Sequence, residues 1–163
     1  MKTLFLLRHA KSSWKDETVP DVERPLNSRG RKNSDTIGEI LKQKKVSPEL
    51  ILSSTAVRAR ETIDIILRSA RLRGEVRYDE RIYEGTVDRL LEVVTQIEKG
   101  MQSAMIVGHN PGLENLLSAL TTEKETMPTA ALAKITFKVS NWTDTIKGGS
   151  LEWVITPRRR EKD

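Results

Sequence analysis

The sequence predicts a layered α/β fold with a largely parallel central sheet, and three observations predict it. Short apolar runs alternate with longer segments of helical period over most of the length, which is the pattern of strand–helix–strand units. The last two apolar runs close the chain as two strands joined by a loop, which is compatible with an added antiparallel pair. No internal repeat, low-complexity stretch or linker interrupts the 163 residues, a length suited to one core and one domain.

The elements follow in order. "TLFLL" (Thr3–Leu7) reads as a buried strand. "RGRKNSDTIGEILKQKK" places Ile37, Ile40 and Leu41 on one face of an amphipathic helix entered near Ser28. "LILSS" (Leu50–Ser54) is a second strand, and the next helix, "AVRARETIDIILRSARL", carries Ile63, Ile66, Leu67 and Ala70 at helical spacing. "EVRYDERI" is a weaker, partly exposed strand; "VDRLLEVVTQI" is a helix with Leu90, Leu91, Val94 and Ile97 inward. "SAMIVGHN" (Ser103–Asn110) is a fourth strand, and a helix starts at or just after Pro111, where a missing N–H costs nothing. "AKITFKVS" and "SLEWVITP" are the closing strands, joined by a loop around Gly148-Gly149.

Composition narrows the chemistry. Cysteine is absent, which excludes disulfides, thiolate catalysis and cysteine metal sites. A formal charge of +5 favours anionic partners without choosing among them. "MKTLFLL" resembles the start of a secretory signal, but its apolar run is four residues long and stops at Arg8-His9. No segment has the ~18 apolar residues of a membrane span, so a cytoplasmic chain without a membrane partner is expected. The runs "KQKKV" and "PRRREKD" are read as a solvated face and, at residues 158–163, a charged tail. No basic stretch is interleaved with aromatics, which are 4% of the chain, so nucleic acid is not an expected partner.

The chain has two histidines, and both follow strands: His9 the first, His109 the fourth. Carboxyl ends of parallel strands open on one crevice, where ligands bind. Arg8 precedes His9, and Arg58 lies in the first turn of the helix after strand two, at the same edge. Two guanidiniums and two imidazoles at one rim suit a phosphoryl group, whose oxygens match the guanidinium fork. Helix N-termini at Ala56 and Pro111 add backbone donors. A neutral imidazole there is a competent nucleophile toward phosphorus.

"LRHAKSSW", "ERPLNSRG", "SSTAVRARET" and "VGHNPGLENLL" occur in the order and spacing of the histidine phosphatase superfamily, and look closest to its small SixA-type phosphohistidine phosphatases. The resemblance runs from about Lys2 to Leu117. It implies a phosphoglycerate mutase-like, three-layer α/β/α sandwich and a metal-independent phosphatase with no cofactor. It implies His9 as the phosphoryl-accepting nucleophile, Arg8 and Arg58 as the phosphate grip, and His109 as a donor to a phosphoryl oxygen. It also brings Arg24 to the site as a substrate-binding residue. Ala10 stands where the broader superfamily has glycine, and Thr55 replaces a usual proline. Larger members place an acid after the third strand; Glu84 in "RIYEGT" falls near that point, with Asp88 or no acid as alternatives.

Several residues carry two readings. Lys11 either reaches the phosphate or faces water. Ser12 and Ser13 read as loop hydrogen-bonders, Trp14 as a pocket wall or loop anchor, and Arg60 and Glu61 as helix surface or local ion pairs. A two-histidine metal site needs a third ligand, and the adjoining arginine, asparagine and lysine do not supply one. The expected partner is a phosphohistidine protein or a small phosphorylated substrate. The rivals are a phosphomutase, a metabolite phosphatase and a non-catalytic basic module that binds phosphate or nucleic acid.

Overall fold

The computed structural model describes residues 1–158. Four parallel strands form its centre: β1 (Lys2–Arg8), β2 (Leu50–Ser53), β3 (Glu75–Tyr78) and β4 (Ser103–Gly108). β5 (Leu132–Phe137) and β6 (Ser150–Ile155) add the antiparallel edge, in the order β3-β2-β4-β1-β5-β6. The helices are α1 (Ser28–Lys44), α2 (Val57–Ser69), α3 (Val87–Thr95) and α4 (Gly112–Thr121).

Why the central strands read as unbroken apolar runs is now plain: both faces of the sheet are covered. Leu4, Leu6, Ala104 and Ile106 point to a core shared with Leu90, Val94, Leu113 and Leu117 of α3 and α4. Phe5, Leu7, Met105 and Val107 point the other way, onto Ile37, Leu41, Ile63 and Ile66 of α1 and α2. The period of two in the strands thus feeds two layers of helices, and the sandwich has three layers. Leu67 and Leu91 sit half-buried at the edges of these faces.

Two local features depart from the simple reading of the sequence. "EVRYDERI" is a strand only to Tyr78. The Asp79 side chain then accepts a hydrogen bond from Arg81 N at 2.9 Å and turns Glu80–Ile82 into a 3₁₀ segment. Between β5 and β6, a 3₁₀ segment (Trp142–Lys147) precedes Gly148-Gly149 and buries Trp142 completely. Arg158 is exposed; the rest of the expected tail, residues 159–163, lies outside the described residues.

Register decides what meets at the rim. In the β1–β4 ladder Arg8 lies opposite Gly108, so the next residues, His9 and His109, leave the sheet side by side. His9 N donates to Gly108 O at 3.1 Å, extending the ladder one step. In the β2–β4 ladder Ser53 lies opposite Val107, and Ser54 N donates to Val107 O at 2.9 Å. Ser54 therefore stands on the other flank of His109. α1 begins against this rim. Asn27 caps it through Gly30 N at 2.8 Å, and a Cβ on residue 30 would sit 2.1 Å from Lys11 O, so only glycine lets the helix approach.

Candidate active site

The two imidazole rings lie 4.9 Å apart, centroid to centroid, tilted by 51°. His9 is almost fully buried, and its Nδ1 lies 2.7 Å from Ala10 O. A carbonyl only accepts, so Nδ1 carries the proton and the Nε2 lone pair is left for chemistry. Burial, with Arg58 and Arg8 nearby, pushes the His9 pKa down to about 4, so the ring is neutral at pH 7.

His109 is held on three sides. Its Nε2 lies 2.7 Å from Ser54 Oγ, and Arg58 Nη2 approaches its Nδ1 at 3.4 Å. The edge of the Tyr83 ring meets it at 5.6 Å. A guanidinium only donates, so Nδ1 is the acceptor and the neutral ring carries its proton on Nε2, donating to Ser54. Burial, then His9 and Arg58, push the His109 pKa down to about 3.

The arginines are ordered before any anion arrives. Arg58 Nη1 donates to Asp21 O at 2.7 Å and Nη2 to Asp21 Oδ2 at 3.0 Å. Its helix is tied to the His9 loop through Thr62, whose Oγ1 donates to Arg58 O and accepts from Ala10 N. Arg8 Nη1 donates to Met127 O at 3.1 Å. The loop carrying Met127 is held in turn by Glu114, which accepts from Met127 N and Asn110 Nδ2. Arg24 is buried with its guanidinium 3.9 Å from the Trp14 ring and Nε 3.8 Å from Asp21 Oδ1. The Nε atoms of Arg8 and Arg24 are buried without a hydrogen-bond partner among the described residues. Such donors cost ~1–3 kcal/mol each unless something accepts from them, and an anion is the natural acceptor.

A cleft of about 600 Å³ opens from this cluster, lined by Asp21, Arg58, Glu84, His109 and the N-terminus of α4. Glu84 is exposed, with φ of 52°, and shares the cleft lining with one other acid, Asp21; Asp88 does not line it. Lys11 lies elsewhere, in a separate groove with Arg29, Thr129 and Arg158. Trp14 is an exposed ring stacked on Arg24, Ser13 Oγ accepts from Lys15 N, and Arg60 stacks on Tyr78. Glu61, expected at the surface or in a local ion pair, accepts from Leu26 N at 2.8 Å and fastens the "ERPLN" segment to α2.

A family model described as the histidine phosphatase superfamily, branch 1, matches residues 4–87, a span that includes Arg8, His9, Arg24 and Arg58. The chain belongs to this superfamily. Histidine phosphatases of the SixA type superpose on nearly all of it. A protein from Agrobacterium tumefaciens, provisionally named phosphohistidine phosphatase SixA, matches with a TM-score of 0.84 and 28% identity over 96% of this chain and 98% of its own. The protein histidine phosphatase SixA complexed with tungstate has the same fold, with a TM-score of 0.84 at 22% identity over 96% and 97% of the two chains. Two uncharacterized proteins are also similar. A chloroplastic one from Arabidopsis thaliana is 28% identical over 96% of this chain and 78% of its own. One from Mycobacterium leprae is 33% identical over 71% of each chain.

Within this member of the superfamily, sequence reasoning missed Asp21, Tyr83 and Ser54. Ser54 had a visible signal, since it ends a strand at the rim that carries the histidines. Asp21 and Tyr83 had none: each lies in a connecting segment, and only the folded chain brings Asp21 to Arg58 and Tyr83 to Asp21 and His109. No described helix is long and apolar enough to cross a membrane. Among the described residues, no three His, Cys, Asp or Glu side chains are grouped to hold a metal ion.

Proposed function

We propose that this histidine phosphatase hydrolyses phosphorylated substrates through a covalent phosphohistidine on His9, and that its preferred substrate is phosphohistidine on a protein, as in the SixA type. The observation that carries the reading is the 2.7 Å contact of His9 Nδ1 with the Ala10 carbonyl, which places the proton on Nδ1 and leaves Nε2 unprotonated, in a ring 4.9 Å from that of His109.

Attack by Nε2 forms a P–N bond while the bond from phosphorus to the leaving atom breaks. His9 becomes a phosphorylated imidazolium, whose Nδ1–H strengthens its bond to Ala10 O. The spreading negative charge falls to Arg8, Arg58 and His109. Burial, then His9 and Arg58, keep His109 neutral. The negative phosphoryl group offsets them, so the ring takes a proton from solvent, donates it in a hydrogen bond to a phosphoryl oxygen, and returns it to solvent when phosphate leaves. Water then attacks phosphorus, His9 leaves as neutral imidazole, and both water protons stay with the released phosphate.

The identity of the leaving group follows from the acids present. Partial burial works against the Asp21 carboxylate, but hydrogen bonds from Tyr83 and Arg58 outweigh it and hold the group below the usual carboxylate range. Asp21 is therefore a poor proton donor, and Glu84 is the candidate acid. An alkoxide needs a proton in the transition state, a contribution of ~10²–10⁴-fold. A phosphorylated imidazole leaves as a neutral molecule once its distal nitrogen is protonated, and needs little help. A cleft of about 600 Å³ also has room for a small phosphorylated metabolite, which keeps a metabolite phosphatase as the second reading.

The test is rapid quench with a phosphohistidine protein, a phosphoserine peptide and an aryl phosphate. Acid-labile, base-stable label on the enzyme is expected, absent in His9→Ala, with phosphohistidine turned over faster than phosphoserine. Full turnover by His9→Ala defeats the mechanism; equal or faster phosphoserine turnover defeats the preference.

A further inference from the structure

We infer that Asp21 is a positioning residue of the phosphoryl site, a carboxylate that clamps Arg58 and Tyr83 around His109 so that the guanidinium meets the phosphoryl group already aimed. This rests on the phosphoryl-transfer reading above and adds to it a residue outside the anion grip itself.

The donor count of Arg58 carries the inference. A guanidinium has five N–H groups. Asp21 takes one from each terminal nitrogen, through its backbone carbonyl and its carboxylate. The second hydrogen on Nη2 is directed toward His109 Nδ1, beside the His9 ring. Asp21 thus holds Arg58 through both terminal nitrogens, with Nη2 facing His109. Nine-tenths of the Arg58 side chain is buried, whereas nearly half of the Asp21 side chain is exposed, so the aspartate approaches from the solvent side.

The same carboxylate oxygen accepts from Tyr83 OH at 2.7 Å, and the Tyr83 ring packs edge-on against His109. One acceptor therefore fixes two neighbours of the second histidine. They come from α2 and from the turn after β3, and Asp21 joins the two. Arg24 approaches the other oxygen, Oδ1, at 3.8 Å. A 3₁₀ turn at Asp21–Glu23, started by Pro20, sets the carboxylate among them.

Positioning makes a prediction opposite in sign to simple charge. Removing a negative charge beside an anion site tightens anion binding by Coulomb's law. Loss of a clamp frees Arg58 and weakens it. The experiment compares Asp21→Asn, Tyr83→Phe and the double variant with the parent. Inhibition by inorganic phosphate and by tungstate is measured beside kcat/KM for an aryl phosphate with a good leaving group and an alkyl phosphate with a poor one. Asp21→Asn is expected to weaken both anions about tenfold and to lower kcat/KM by the same factor for both esters, about 10–100-fold. Tyr83→Phe is expected to do the same more mildly, and the double variant to lose less than the product of the two.

Tighter or unchanged anion binding in Asp21→Asn, in a variant whose thermal midpoint matches the parent, overturns the clamp. A loss confined to the poor leaving group also overturns it, by making Asp21 a proton donor. Should Asp21→Asn fold poorly, Tyr83→Phe alone decides by the same signs. The underlying mechanism fails separately, through a missing phosphoenzyme in the parent.

Discussion

His9 and His109, a hundred residues apart in sequence, leave adjacent parallel strands at matched positions and bring their rings to 4.9 Å. That pairing is a product of register: slide β4 by one residue and the two side chains leave on opposite faces of the sheet. The strand ladder therefore sets the geometry of the proposed catalytic pair, and its consequences are measurable.

The first concerns pH and rate. A buried neutral His9 stays unprotonated until the pH falls to about 4. The rate of phosphoenzyme formation, corrected for ionisation of the substrate, is expected to be flat from pH 8 to 5 and to fall near 4. A limb near 6.5, the value of a solvated histidine, counts against a buried nucleophile.

Stability responds to the same burial. Both histidines have folded pKa values below the unfolded 6.5, at about 4 and about 3. Between those limits the unfolded chain binds more protons than the folded one, so stability rises with pH and is lost as the pH drops from 6.5 through 4. Urea midpoints measured from pH 7 to 4 should fall, and the fall should be shallower in His109→Gln. An unchanged slope in that variant would show that His109 does not contribute.

Arg58→Lys tests the fork. Lysine keeps the charge but loses planarity and the paired donors that serve Asp21 and the phosphoryl group together. A fall in kcat/KM of about 10²–10³-fold is expected, close to that of Arg58→Ala. Activity near the parent level would mean that positive charge alone suffices.

Ser54→Ala removes the acceptor of His109 Nε2–H and of Ala56 N, at 2.7 and 3.1 Å. Leaving those groups unpaired should cost about 1–3 kcal/mol in stability. With its ring no longer fixed, His109 should also lose a large part of its contribution to kcat, which steady-state kinetics will show. A variant with parent stability and rate would make the contact incidental.

Much of this was legible in the chain itself. Unbroken apolar runs such as Leu4–Leu7 announced strands covered on both faces, and their alternation with amphipathic helices announced the parallel sheet. Arg8-His9, Arg58 and His109 sat at strand ends or a helix start, where the rule for parallel sheets places ligands, and all four reached one rim. Those inferences depend on local periodicity and on a topological rule, and both are written in sequence order.

The clamp on Arg58 was of another kind. Asp21 and Tyr83 lie in irregular segments with no period to read, and the separation between them is bridged only after two crossovers have closed. Glu84 and Lys11 show the converse, since nearness to a motif did not settle which cavity each would line. Local pattern thus determined the layers and the four catalytic candidates. Tautomers, burial and the partners of each charge were decided by tertiary structure, because they depend on distances between segments that no spacing along the chain encodes.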